Sequence, residues 1–400
     1  MKKISGQNEF ECEKEELEMD IDSRNQSGDL PDANIIVAGI TGTGKSTLIN
    51  AIFGEEIAAT GEGRPVTEYI REYNEKNTPI RIWDTVGLEL DSEKTKKSIK
   101  DIKGTIASKA SFSDKYDRIH AIWYCINSGS NRYQGAELEF IKELYAVGVP
   151  FIIVLTQCSG DEEKINRFES EIKKINASMG LEDIRIVQVL AQTVKFRGVD
   201  WEISPFGLDK LVNVTLELLP GFIKRSFIAA QRIGKIQKRE ECEKIIYDYV
   251  KAAEKGFWEK VPLVNIIPTD RKIMQMTKEI CMVYNTYLPQ ESIERISQYH
   301  LDFENKLRGL IIPIYRGYSK KITALLEQKK EEGFSVESLN VNKKDRAARM
   351  VAFYGYTDMD SIEELWEQTT AEELKDVDRV TKELGRIINR RLRESSKIGN

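Results

Sequence analysis

The run Asn34-Ile-Ile-Val-Ala38 leads directly into Gly39-Ile-Thr-Gly-Thr-Gly44-Lys45-Ser46, and Thr47-Leu-Ile-Asn-Ala-Ile-Phe53 follows. The first segment has the apolar character of a strand buried on both faces, and the last reads as the start of a helix. Between them the spacing is GxxxxGK[ST] in a strand–loop–helix context, the pattern of a phosphate loop. Glycines let successive main-chain N–H groups turn inward as an anion nest, and the helix N-terminus adds its partial positive charge. Lys45 is placed to reach β- and γ-phosphates, and the Ser46 hydroxyl to ligate Mg²⁺. Gly39, Thr41, Gly42, Thr43, Gly44, Lys45, Ser46 and Thr47 are therefore the expected nucleotide-binding residues of this loop.

Outward from this point, short apolar runs recur at Ile80–Trp83, Ile119–Ile126, Phe151–Leu155 and Ile184–Leu190. Amphipathic stretches separate them. Gln134–Val147 puts Leu138, Ile141, Leu144 and Tyr145 on one face, and Gly207–Leu219 does so with Leu208, Leu211, Val212 and Leu219. Strands alternating with helices imply right-handed crossovers and a mainly parallel sheet. Tyr69–Tyr73 is the expected exception, an antiparallel edge against Ile80–Trp83.

After Pro220 helical periodicity takes over, as in Ile273, Met276, Ile280 and Val283 or Leu374, Val377, Leu384 and Ile388. Breaks are expected around Val261–Pro268, Gly333–Ser335 and Gly355–Thr357. The expected fold class is α/β: a P-loop three-layer domain with a mainly parallel sheet over residues 34–220, then an all-α helical domain over residues 221–400. Residues 1–33 are acidic and poor in apolar side chains, the composition of a disordered arm.

Four hundred residues suit two domains, and the 40% apolar content can fill a substantial core. Lys+Arg number 60 against 65 Asp+Glu, a net charge of −5 that lacks the cation surplus for sequence-independent nucleic-acid binding, so no nucleic-acid partner is expected. No apolar run approaches the ~20 residues of a spanning helix. The start, MKKISGQNEFECEKEELEMD, has no apolar stretch behind its lysines and is not expected to be a secretory signal. Five cysteines without paired spacing point to a reducing compartment, and a cytoplasmic location is expected.

The phosphate loop alone leaves kinases, ATPases and GTPases open. Asp84-Thr-Val-Gly87 closes an apolar strand at a distance from Lys45 that holds one helix, one exposed loop and two strands. In a nucleotide switch Asp84 would hold Mg²⁺ through water while the Gly87 N–H meets the γ-phosphate. Between them lies the polar loop Thr60-Gly-Glu-Gly-Arg-Pro-Val-Thr67. Thr67 is favoured over Thr60 to lend its hydroxyl to Mg²⁺ and its N–H to the γ-phosphate, because the following strand would fix its position. The metal set is thus Ser46, Thr67 and Asp84, and the catalytic set Lys45, Thr67, Asp84 and Gly87. His120, mid-strand among apolar neighbours, reads as a core or interface histidine, and His300 has no neighbour at a zinc-ligand spacing.

GITGTGKST, then PVT, then WDTVGL, in this order and spacing, resemble the Era-like and septin-like members of the translation-factor-related class of GTPases, over about Asn34 to Leu219. Ile119–Asn127 looks like the fourth strand of septin-like and paraseptin-like members, and Gly207-Leu-Asp-Lys-Leu211 like the opening of their last helix. The resemblance implies a G domain that binds GTP and GDP with Mg²⁺ and switches conformation. Where such proteins carry [NT]KxD, whose carboxylate accepts two hydrogen bonds from guanine, this chain has Thr156-Gln157-Cys158-Ser159, and Asp161 lies two residues too far along. Chloroplast-import GTPases are similar in keeping the threonine without the lysine and aspartate. The last base motif would be Leu190-Ala191-Gln192, retaining the alanine whose N–H meets the guanine carbonyl. Thr156, Gln157 and Ala191 are accordingly the implied base-contacting residues.

Many hydrolysing switches carry a glutamine after the DxxG glycine, whereas here the residue is Leu88, which cannot orient water. Slow intrinsic hydrolysis is expected, with acceleration through another residue or a partner; Arg64 and Arg132 are candidates, although each reads first as a solvated or structural arginine. The leading expectation is a Mg²⁺-dependent GTPase switch. Two alternatives remain open: a GTP-dependent module that homodimerises through its G domain or contacts a membrane surface with negligible turnover, and an ATPase. Gly256–Pro268 looks like part of a helical domain that follows Era-like G domains in some membrane-associated bacterial proteins. It reads either as a peripheral membrane or partner-binding wedge or as the hinge and core of a helical bundle. The arginine run Arg386–Arg393 reads as a solvated face or a contact for anionic partners.

Overall fold

The structure is a computed structural model that describes residues 30–54, 64–65, 70–74, 78–85, 92–110, 115–130, 133, 136–195, 201–253, 267–308 and 346–397. Two compact units divide it, Pro31–Lys235 and the helices from Ile236 onward.

In the first unit, β1 (Ala33–Ala38), β4 (Ile80–Thr85), β5 (Ala121–Asn127), β6 (Phe151–Thr156) and β7 (Arg185–Gln188) form a parallel sheet in the order β4-β1-β5-β6-β7. An antiparallel edge completes it, β3 (Ile70–Asn74) pairing with β4 and β2 (Arg64–Pro65) pairing with β3. The antiparallel edge expected at Tyr69–Tyr73 is therefore present, with Ile70 opposite Thr85 and Tyr73 opposite Ile82. Alternate side chains of each strand enter two separate cores. Ile35 and Val37 face the layer of α1 (Lys45–Phe53), α5 (Leu208–Leu218) and α6 (Gly221–Ala230), meeting Leu48, Leu211 and Phe227. Ile36 and Ala38 face α2 (Ser92–Ala110), α3 (Ala136–Tyr145) and α4 (Glu162–Ser178), meeting Ile106, Ile141 and Ile172. Burial on both faces is why the strands read as continuous apolar runs rather than as alternation. A small ribbon of β8 (Val194–Lys195) and β9 (Glu202–Ile203) lies between β7 and α5 in the chain.

This unit extends beyond Pro220, the boundary expected from the change in periodicity. Ile223, Phe227 and Ala230 of α6 are buried in the first core, and the Arg232 N–H donates to the Ile52 carbonyl at 2.8 Å. His120 is buried, as expected, and its Nδ1 accepts from the Asn34 N–H at 2.9 Å; burial holds its pKa below the usual imidazole value.

Two buried acids in this unit, Asp84 and Glu137, have carboxyls raised toward neutrality. Glu137 on α3 accepts a hydrogen bond from the Tyr124 hydroxyl at 3.2 Å, and burial pushes its carboxyl up to about 7 from 4.5. Because the folded value lies above the unfolded one, the stabilisation is complete below about pH 4.5 and is lost as pH rises through about 7. Glu137→Gln is expected to melt close to the parent near pH 5 and to gain up to about 3 kcal/mol over it by pH 8. Thermal melts across that range check it; a pH-independent difference would show that Glu137 is not held neutral.

The second unit contains α7 (Lys235–Ala253), α8 (Ile267–Val283), α9 (Gln290–Arg308), α10 (Arg346–Gln368) and α11 (Val377–Lys397). α8 packs on α10, and α11 packs on both α9 and α10. The break expected at Gly355–Thr357 is absent, since α10 runs unbroken through it. Gly355 is there for close approach: a Cβ would sit 2.8 Å from Ile246 Cγ1 and 3.1 Å from the Met276 sulfur. Lys238 is fully buried, its ammonium donating to the Val283 carbonyl at 2.8 Å and lying 5.7 Å from the Trp366 ring centre. His300, also buried, has its Nε2 2.9 Å from Asp358 Oδ1, and the Thr277 hydroxyl donates to Asp358 Oδ2 at 2.6 Å. Arg390 and Arg391 of the arginine run both bind Glu364, so this part of the run ties α11 to α10. No helix of the described residues is long and apolar enough to cross a membrane. The Gly256–Pro268 wedge lies almost wholly outside the described residues, as do the break expected at Gly333–Ser335 and residues 1–29 of the arm expected over 1–33, whereas Ala33 opens β1 and Asp32 pairs with Arg81 at 2.8 Å.

Candidate nucleotide-binding site

The loop after β1 has the conformation its glycines allow. Gly42 and Gly44 adopt φ of 83° and 81°, in the left-handed region, and Gly44 is the residue from which α1 begins. The turn is pinned by the Thr43 hydroxyl donating to the Ile40 carbonyl at 2.8 Å. Lys45 folds back over the loop, its Nζ donating to the carbonyls of Gly39 at 2.8 Å and Ile40 at 3.3 Å. Thr41, Gly42 and Ser46 are exposed, and Thr47 is half-buried on the first turn of α1.

Asp84 stands on the strand beside β1, opposite Val37, and is buried. Burial raises its carboxyl to about 6, although the Lys45 and Arg71 charges pull in the other direction. Its Oδ1 is buried without a hydrogen-bond partner. A desolvated acid with an orphaned oxygen, on the strand beside the one that feeds the loop, and the exposed Ser46 side chain at the start of α1 are oxygen donors of the kind a hard divalent cation takes directly or through water. Thr67 and Gly87, together with Thr60, Leu88 and Arg132, lie outside the described residues, and of Arg64 only the main chain is described.

At the end of β6 the structure places Thr156 and Gln157 against the loop. The Thr156 hydroxyl lies 2.5 Å from the Thr43 carbonyl and 3.1 Å from that of Ile126. Gln157, itself left-handed at φ 56°, donates from Nε2 to the Gly42 carbonyl at 2.8 Å, while its Oε1 accepts from Asn127 Nδ2 at 3.1 Å. The Ser128 hydroxyl holds the Gln157 carbonyl at 3.0 Å. Asn127 and Ser128, at the end of β5, are members of this network that sequence reasoning missed, because no motif spacing marks them.

These elements enclose a cavity of about 240 Å³. Gly44 and Thr47 line it from the loop side, Thr156, Gln157 and Ser159 from the end of β6, and Leu190, Ala191, Gln192 and Val194 from the segment after β7. The three expected base-contacting residues, Thr156, Gln157 and Ala191, thus meet the phosphate loop in one place. A glycine nest at the end of the first parallel strand, a lysine over it and a cavity beside it decide the fold type. The first unit is a P-loop G domain.

Residues 34–157 match the model of a family described as 50S ribosome-binding GTPase, a match over less than half of the chain. No curated protein sequence matches. Among solved structures, bacterial selenocysteine-specific elongation factor EF-Sec is 20% identical over 47% of this chain and 29% of its own, with a TM-score of 0.32. A probable GTP-binding protein, EngB, is 20% identical over 46% of this chain and 98% of its own, at 0.33. Elongation factor SelB from Methanococcus maripaludis, in complex with the GTP analogue GppNHp, is 18% identical over 48% and 35%, at 0.30. The chain spans about a third of the elongation-factor chains it matches, 29% and 35% of their lengths.

Proposed function

We propose that the chain is a Mg²⁺-dependent GTPase switch. The observation that carries this reading is the convergence of the Lys45-capped loop, the orphaned Asp84 oxygen and the cavity bordered by Thr156 and Ala191. Lys45 would exchange its two carbonyl partners for phosphate oxygens, which are better acceptors for an ammonium. The N–H groups of the loop and the first turn of α1 would orient the remaining phosphate oxygens. Ser46 and Asp84 would hold the cation, with Thr67 joining on closure; the metal supplies neutralisation of the phosphate charge. Gly87 would sense the γ-phosphate through its N–H. The Era-like or septin-like subclass rests on GITGTGKST and WDTVGL, and a cytoplasmic setting suits the buried, free thiols of Cys125, Cys158, Cys242 and Cys281.

GTP turnover followed against protein concentration, with Mg²⁺ present, tests the switch. A slow rate per molecule that does not change with dilution is expected, because Leu88 offers no group to orient water. A rate per molecule that climbs with concentration would replace this reading with hydrolysis activated by assembly. Fast single-turnover hydrolysis by dilute protein would contradict the inference from Leu88.

A further inference from the structure

One cation beside the candidate site has no part in the phosphate loop. Arg71 on β3 stands directly opposite Asp84 of β4 in the antiparallel register, two residues from the Tyr73–Ile82 pair. Opposite residues in such a ladder share a face of the sheet, and side chains alternate between the faces along each strand. Tyr73 and Ile82 are buried in the core that receives α1, as is Val37, which pairs with Asp84 on its other side. Arg71 and Asp84 therefore lie on the face covered by α1, the helix that begins at Lys45. Burial raises the Asp84 carboxyl, and the Lys45 and Arg71 charges both draw it back, so two cations bear on one carboxylate. The Arg71 guanidinium is half-buried and makes no hydrogen bond among the described residues. Arg81, on the opposite face of the same strand pair, is by contrast tied to Asp32 at 2.8 Å and to Glu72 at 3.1 Å.

We infer that Arg71 is a second fixed cation of the phosphate site, one that retains the nucleotide when no divalent cation is bound. This rests on the switch reading above and deepens it: turnover keeps its need for the metal, whereas binding is partly freed from it. The physical ground is charge balance. Lys45 would lie against the phosphates, and Arg71 acts on the same carboxylate as Lys45, so the Arg71 charge is near enough to attract a polyphosphate through space without touching it. Its partial burial lessens screening by salt. With Mg²⁺ bound, much of the phosphate charge is already neutralised and the metal itself repels a guanidinium, so the contribution of Arg71 shrinks. The effect of Arg71 is therefore greatest on metal-free nucleotide. No motif spacing marks this residue; the pairing across the ladder does.

Calorimetric titration of the full chain with GTP, once in excess Mg²⁺ and once in EDTA, tests this. The parent is expected to lose less than about a hundredfold in affinity on chelation. Arg71→Gln is expected to bind within about threefold of the parent in Mg²⁺ and at least about tenfold more weakly than the parent in EDTA. Arg71→Lys keeps the charge and should return binding in EDTA to within about threefold of the parent. Arg81→Gln removes a cation from the other face and should leave the EDTA-to-Mg²⁺ ratio of dissociation constants unchanged. A ratio that rises by less than about tenfold in Arg71→Gln overturns the proposal, as does failure of Arg71→Lys to restore it; both leave the switch reading standing. A parent that fails to bind GTP even in Mg²⁺ overturns the proposal together with that reading. If Arg71→Gln does not fold, the parent decides, and a loss beyond about a hundredfold on chelation overturns the proposal.

Discussion

Lys45→Ala is expected to weaken GTP binding by about a hundredfold to a thousandfold while lowering the melting temperature by only a few degrees. In the structure the Lys45 ammonium donates to two neutral carbonyls, those of Gly39 and Ile40. Phosphate oxygens would replace them, and hydrogen bonds between charged groups contribute about 1.5–3 kcal/mol each. Losing two such bonds at the lower end of that range costs about 3–4 kcal/mol, which corresponds to the stated fall in affinity. The folded state loses only the ties to the loop, about 1 kcal/mol, or about 2–4 °C in a unit of this size. Lys45→Met keeps the buried stem and removes only the charge, so both variants should fail alike. Undiminished affinity for purine triphosphates in either would show that the loop is not a phosphate cage.

Gly207→Ala is expected to destabilise the G domain by about 3–5 kcal/mol, with a fall in melting temperature of about 6–20 °C. Gly207 precedes α5 with φ 78°, and a Cβ there would stand 2.0 Å from the Gln188 carbonyl oxygen and 3.2 Å from the Val189 Cα. The obstacle is main chain, so no rotamer change relieves it. The backbone conformation alone costs a non-glycine residue about 1–3 kcal/mol. Gln188 and Val189 lead into the Leu190–Gln192 wall of the cavity, so nucleotide affinity should fall with stability. Gly104→Ala on α2, where a Cβ would meet nothing within 4 Å, is the control and should be neutral or stabilising by about 0.5–1 kcal/mol. Equal melting of the two variants would show that the approach of α5 to β7 is looser than described.

Much of this was legible because the sheet is buried twice. Runs such as Ile35–Ala38 and Phe151–Leu155 have no polar face, so they announce parallel strands, and the glycine-lysine loop between strand and helix fixes where the ligand site must lie. The limit of the G domain was not legible at Pro220, because α6 is amphipathic like the helices after it, and only packing of Phe227 against Trp123 and Phe53 assigns it to the sheet. Gly355 misled for the opposite reason: glycine reads as a chain break, yet here it serves a tight crossing inside one helix. At the candidate site, motif spacing pointed to Lys45 and Asp84, and the family resemblance to Thr156 and Ala191. They could not show that Asp161 is spent on a helix terminus or that Gln157 braces the loop through Asn127, since those roles depend on hydrogen bonds between distant segments.

Lys238 gives the helical unit a built-in chemical reporter. Its amine is sealed from solvent between the last turn of α8 and the Trp366 ring, so an acylating reagent reaches it only when these helices part. Its modification relative to surface lysines such as Lys244 therefore measures how often the bundle breathes, without any added label.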